Sequence, residues 1–202
     1  MTEQPSTPTR RQLRRQLRDR RRRISPQQQS RAARRLTRQI KACPAVQNAR
    51  SVALYWPNDG EIDPRPFRSV AQRRGKNCYL PVLHPVYGNR LWFFEFADRT
   101  QLKPNRFGIP EPRTRNARAM PPWALDVVLM PLVGFTAEGD RLGMGGGFYD
   151  RTFAFLNGPA CHRPRLIGLA HECQRVDAMP TESWDIPMDY IITDGAVYQP
   201  GG

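Results

Sequence analysis

No stretch of the chain approaches the roughly 18 uninterrupted apolar residues that a membrane span requires, and Met1 to Thr9 lack the apolar run of a signal peptide. Neither a membrane-spanning nor an exported protein is expected. Cysteine is scarce: Cys43, Cys78, Cys161 and Cys173 form no C-x-x-C pair and have no metal-ligand spacing. This argues against a zinc module or a disulfide-stapled fold and favours a reducing cytoplasm. His171 and Cys173 are close in sequence, but without an orienting third group they read as packing residues rather than as a nucleophile and its base. Acidic residues are few, 18 against 32 Lys and Arg, for a formal net charge of +14. A mitochondrial transit peptide is also acid-poor and rich in arginine, but here serine is sparse and the arginines run on into helix-forming sequence.

The charge is confined to one place. Residues 10 to 41 hold 14 of the basic residues and a single acid, Asp19, whereas the rest of the chain is close to neutral. A protein that wraps a duplex spreads cations over a face; a neutral body with one basic segment does not by itself point to nucleic acid.

At 202 residues the chain is long enough for one domain with a continuous core and too short for two comfortable ones. Residues 1–9 read as a flexible N-terminus and 10–198 as a single domain. Leu13, Leu17 and Ile24 give a narrow apolar stripe on a basic helix of about 15 residues. Ser25, Pro26 and Gln28 form a capping-box start for a second helix, with Ala32, Ala33, Leu36 and Ile40 on its buried face and Pro44 at its end. The two make an N-terminal basic helical pair. Beyond it, short apolar runs at Val52–Trp56, Cys78–Leu83, Leu91–Phe96, Asp126–Leu132, Leu166–Ala170 and Tyr190–Thr193 read as strands. Between the first two, Asp63-Pro64 opens a helix and Gly75 closes it. Strand, crossover helix and strand imply a parallel unit, so the expected class is α/β, a mainly parallel sheet flanked by helices in a Rossmann-like three-layer arrangement. The proline-dense stretch Lys103 to Pro122 reads as a long surface loop that could cover a site.

The chemistry concentrates after the strand at Asp126–Leu132. A turn at Glu138-Gly139-Asp140 leads into Arg141-Leu142-Gly143-Met144-Gly145-Gly146-Gly147-Phe148-Tyr149-Asp150, with a helix expected from about Gly147. Four glycines in five residues let backbone amides converge on an anion, and a helix N-terminus adds partial positive charge. Arg141 can pair with a phosphate, and Asp150 offers a hard oxygen to a magnesium ion. The segment is not a Walker A loop, because no Gly-Lys-Ser/Thr follows. Nor is it a dinucleotide fingerprint, whose last glycine would fall at Phe148.

Four stretches together, Arg141 to Asp150, Trp56-Pro57-Asn58-Asp59-Gly60-Glu61-Ile62-Asp63, Leu80-Pro81-Val82-Leu83-His84-Pro85 and Trp184-Asp185-Ile186-Pro187, resemble the 5-formyltetrahydrofolate cyclo-ligase family, in the family's order and over nearly the whole chain. The resemblance implies ATP- and Mg²⁺-dependent conversion of 5-formyltetrahydrofolate to 5,10-methenyltetrahydrofolate with release of ADP and phosphate. It further implies that ATP is bound by Arg10, Arg14, Arg141, Leu142, Gly143, Met144, Gly145, Gly146, Gly147, Phe148 and Tyr149, that Trp56, Glu61, Phe148 and Tyr149 hold the folate, and that Asp150 and Asp185 hold the metal, with Arg141 and Asp150 catalytic. Arg10 and Arg14, at i and i+4, share one helix face. Arg10 stands where the family often has lysine, which changes donor geometry, and Met144 stands where some relatives have a basic residue. Most of Arg15 to Arg23 reads as a solvated face. The partners implied are the two substrates, in a monomer or weak homodimer, with no specific nucleic acid and no membrane. The rival reading, an RNA-binding module led by Arg10 to Lys41, predicts tight binding with a steep salt slope.

Overall fold

The computed structural model describes residues 8–115, 117–159 and 162–200. Most of the N-terminal segment expected to be flexible therefore lies outside the described residues, as does Cys161. Helix α1 (Arg10–Arg22) starts at Thr9, whose side chain accepts from the Gln12 amide while Gln12 reaches back, and α2 (Pro26–Ala42) starts at Ser25 through the same reciprocal bonds with Gln28. Each such cap satisfies amides that a helix start leaves orphaned. Cys43 ends α2, and Pro44 opens the short α3 (Pro44–Asn48).

Then follow β1 (Ser51–Ala53), α4 (Arg65–Arg73), β2 (Asn77–Leu83), β3 (Leu91–Glu95), β4 (Leu102–Pro104), β5 (Pro110–Pro112), β6 (Val127–Pro131), β7 (Gly134–Phe135), β8 (Arg141–Leu142), α5 (Phe148–Phe153), β9 (Arg165–Leu169), β10 (Tyr190–Ile192) and β11 (Val197–Tyr198). Seven strands form one sheet in the order β11-β10-β9-β6-β1-β2-β3. The five central strands are mutually parallel, and only β3 and β11, at the two edges, run antiparallel to their neighbours. Alternation along β6 explains the layers: Val127 and Leu129 join the cluster containing Leu36 and Ile40 of α2 and Phe67 of α4, while Val128 and Met130 join the cluster containing Phe153 of α5. A central strand buried on both faces needs apolar residues at every position, as this one has.

Four expectations change in detail. The strand at Val52–Trp56 ends early: Leu54 still donates to the Tyr79 carbonyl, but Tyr55 and Trp56 leave the ladder. The loop Lys103 to Pro122 contains a hairpin, β4 against β5, because prolines at strand ends and on exposed edges leave the pairing bonds of Lys103 and Glu111 intact. Ile24 lies beyond the end of α1 and is only half-buried; the third place on the stripe belongs to Arg21, one step of four beyond Leu17. Finally, α5 is only six residues long, so its dipole is weaker than a full helix would provide.

Candidate active site

Leu13 and Leu17 pack α1 against Val133, Leu142 and Met179. Burying two leucines contributes about 1.5–3 kcal/mol each, and a polar clamp adds to this at the helix's far end. The Arg21 side chain has no exposed surface; its Nε donates to the Asp59 carbonyl at 2.8 Å, Nη2 to Asp59 Oδ2 at 3.0 Å and Nη1 to the Leu132 carbonyl at 3.3 Å. Arg18 and Arg22 also reach the Asp59 carboxylate, at 2.8 and 2.5 Å. Burial alone would raise the Asp59 carboxyl, but the hydrogen bonds from Arg18, Arg22 and Arg21 outweigh it and hold the pKa below its usual value.

This clamp fixes α1 across one end of a cleft of about 1020 Å³. Arg10 and Arg14 line it, as do Arg141 and Gly143 to Asp150, and also Trp56, Glu61, Trp184 and Asp185. Of the residues expected at the site only Leu142 is not on the wall. Its side chain is fully buried under α1 and it serves β8 instead.

At one end of the cleft the glycine segment is held by its carbonyls. Arg14 Nε donates to the Gly143 carbonyl at 2.8 Å, and the Gly146 carbonyl accepts from Asn89 Nδ2 at 3.0 Å and Arg151 Nη1 at 2.7 Å. No acceptor among the described residues takes the amides of Gly143 to Gly147. Gly145 and Gly147 have φ of +97° and +65°, and a Cβ on Gly147 would meet the Arg151 guanidinium at 2.6 Å. A side chain at either would strain the bend that exposes these amides. Met144, 48% exposed, presents no cation and instead accepts a long contact, 3.7 Å, from Arg21 Nη2 to its sulfur.

The charged groups are already paired. Arg10 makes two bonds to Asp185, at 2.5 and 3.1 Å, and one to the Pro180 carbonyl at 2.9 Å, while Arg141 pairs with Asp150 and donates to the Ile186 carbonyl at 3.0 Å. Burial, and then the neighbouring Arg10, lower the Arg14 pKa, with Asp185 opposing. An anion entering beside Arg14 would relieve that penalty. Among the described residues no three His, Cys, Asp or Glu side chains gather into a metal cage. Asp150 and Asp185 nevertheless both reach the cleft, and two carboxylates suit a magnesium ion whose other ligands are phosphate oxygens and water.

At the other end Trp56 packs on the core, edge-on to Phe96 at 6.3 Å, with the Arg65 guanidinium 4.3 Å from its ring centre. Glu61 accepts from the Asn58 amide at 3.0 Å and lies 3.8 Å from Arg21 Nη2. Burial raises its carboxyl pKa from 4.5 to about 7, against the pull of Arg21. Burial, followed by the nearby Glu61, also raises the Tyr149 phenol, which stays neutral.

The model of the 5-formyltetrahydrofolate cyclo-ligase family matches residues 6–194. The chain belongs to this family. It is 39% identical over 183 residues to the 5-formyltetrahydrofolate cyclo-ligase of Escherichia coli K12, covering 91% of this chain and 99% of that one. It is 38% identical over 187 residues to the Haemophilus influenzae enzyme, covering 93% and 98%. Its fold resembles that of Aquifex aeolicus 5,10-methenyltetrahydrofolate synthetase with a TM-score of 0.80, at 28% identity over 96% of this chain and 93% of that one. As a cyclo-ligase family member the chain is an enzyme, and the family's activity is ATP-dependent. Sequence reasoning missed three features of the cleft and its frame: the buried Arg21 behind it, and the arginine-bound Asp59 and the carboxylate of Glu111 on its wall. For Arg21 a signal existed, since 13, 17 and 21 continue a stripe at helical spacing.

Proposed function

We propose that this chain converts 5-formyltetrahydrofolate and ATP to 5,10-methenyltetrahydrofolate, ADP and phosphate. The observation carrying this reading is that one cleft joins a cation-ringed glycine bend to a wall of Trp56, Phe148, Tyr149 and a protonatable Glu61. ATP would lie with its phosphates on the amides of Gly143 to Gly147, between Arg14 and Arg141. The reduced pterin would lie on Trp56 and beside Tyr149, with Glu61 accepting from its N–H donors.

A formamide oxygen is a poor leaving group. Transfer of the γ-phosphoryl group to it makes a phosphate that can leave; N10 then attacks the formyl carbon, loses its proton, and phosphate departs. Such a sequence needs alignment and charge neutralisation rather than a protein nucleophile. Arg14 and Arg141 would supply cationic donors where charge builds on the transferred group. Magnesium, held by Asp150 and Asp185, would neutralise phosphate charge when bound. For Asp150 and Asp185 this requires sharing or releasing their arginine partners, which are then free to turn to the phosphates.

The reading takes residues 10–198 as one catalytic unit, acting as a monomer or weak homodimer without nucleic acid. The three described cysteines are all free, which suits a reducing compartment such as the cytoplasm. No described helix is long and apolar enough to cross a membrane.

The test is formation of methenyltetrahydrofolate, followed by its absorbance, with ATP, Mg²⁺ and 5-formyltetrahydrofolate. Omitting ATP or chelating magnesium should stop it, and Asp150→Asn should lower turnover about 100-fold or more. A folded wild-type protein that makes no product with everything present rejects the reading.

A further inference from the structure

Glu111 sits on β5 with only 7% of its surface exposed, yet it lines the cleft. Its Oε2 accepts from the Leu83 amide and from Asn105 Nδ2, both at 3.2 Å. These bonds pin the β4–β5 hairpin to the end of β2. Phe107, at the hairpin's tip, completes the attachment with an edge-on contact to Phe148 at 6.0 Å. Among the described residues no cation lies within salt-bridge reach of Glu111.

The second oxygen, Oε1, has no hydrogen-bond partner among the described residues and is not among the fully buried atoms, and Glu111 lines the cleft. A carboxylate this enclosed and without a cation is costly unless its free oxygen meets donors. Its position and its charge together say which donors. β2 runs parallel to β1 with Tyr79 level with Ala53, so Leu83 and Trp56 stand at the same edge of the sheet. Glu111, hung from the Leu83 amide, therefore stands at the edge that carries Trp56, with Phe148 held against the hairpin tip by Phe107. ATP phosphates are anionic and would be repelled there, whereas a reduced folate carries N–H groups on its pterin and at N10.

We propose that Glu111 is a second folate-recognising carboxylate, accepting a hydrogen bond from an N–H of the substrate through Oε1; this rests on the reading of the cleft as a folate site. The hairpin is thereby a wall of the substrate site, pinned through the same side chain that reads the ligand.

Glu111→Gln separates the two roles. The amide oxygen can take over both accepted bonds, and the amide nitrogen then presents donors to the cleft where an acceptor stood. Initial rates with the full chain should give a KM for 5-formyltetrahydrofolate raised roughly 10- to 100-fold, a KM for ATP within about twofold of wild type, and a melting temperature within about 2 °C. An unchanged folate KM beside an active wild type overturns the inference. Absence of product from the wild type overturns the cyclo-ligase reading itself. Should Glu111→Gln melt well below wild type, the rise in melting temperature produced by each substrate decides. Loss of the rise with 5-formyltetrahydrofolate but not with ATP and Mg²⁺ supports recognition, and equal loss of both overturns it in favour of a purely structural pin.

Discussion

Arg10 and Arg14, at the start of α1, stand in a cleft large enough for a nucleotide and a folate, whereas Arg21, about two turns further on, has no exposed surface at all. All three are guanidinium groups on one helix. Arg14 holds one loop carbonyl and sits at a depressed pKa beside Arg10, so an arriving anion improves its surroundings. Arg21 has its donors filled by Asp59 and Leu132 and lies beside Glu61, so any change there removes something. The difference is one of burial and saturation rather than of residue type: a half-buried arginine with donors to spare is available for a ligand, and a saturated, fully buried one is part of the frame.

The comparison breaks if the two ends respond alike. Arg21→Ala leaves the Asp59 and Glu61 carboxylates short of their buried cation and opens a cavity. It should cost about 3–5 kcal/mol of stability, read as a lower urea midpoint with unchanged slope. Arg14→Ala should leave the urea unfolding free energy within about 0.5 kcal/mol of wild type and lower kcat/KM about 100-fold, the usual loss for one donor to a developing charge. If Arg14→Ala unfolds the protein, or Arg21→Ala leaves its stability intact, the division of α1 into two functions is wrong.

Glu61 joins the two ends, because it faces the cleft with Arg21 behind it. Its folded pKa of about 7 lies above the ordinary 4.5. A carboxyl raised on folding holds its proton more tightly in the native state, so its contribution is complete below pH 4.5 and is lost as the pH climbs through about 7. Across that window wild type should lose on the order of 2 kcal/mol relative to Glu61→Gln, measured as the difference between their urea unfolding free energies at several pH values. Parallel curves for the two proteins would mean that Arg21 holds the carboxylate ionised throughout.

Much of this was legible in the chain. Ser25-Pro26 and Gln28 mark the start of α2 because capping chemistry is local, and Val127 to Met130 reads as a central strand because a strand buried on both faces has no polar positions to spare. The glycine bend and Trp56 were visible as motifs, and the structure brings them into one cleft. Arg21 was hidden among nine arginines between Arg10 and Arg23, since composition marks a charge without saying which one is buried. Glu111 was hidden for a different reason. Its hairpin is short and proline-flanked, so periodicity is absent, and its partner Leu83 is 28 residues away.

Arg22 provides the finest test of the same contrast. It reaches Asp59 at 2.5 Å, shorter than any contact that Arg21 makes, but its side chain is 48% exposed and Asp59 keeps Arg18 and Arg21 when it is removed. If contact length decided its value, Arg22→Ala would approach Arg21→Ala. If burial decides, the loss should stay below about 1 kcal/mol, as for exposed pairs in general. It should also shrink as salt is raised, because an exposed pair is screened while the Arg21 cluster is not. Arg15→Ala, which removes an exposed side chain with no hydrogen-bond or ion-pair partner among the described residues, sets the baseline near zero. Urea midpoints for the three variants at low and at about 1 M salt would place Arg22 either with the frame or with the solvated face.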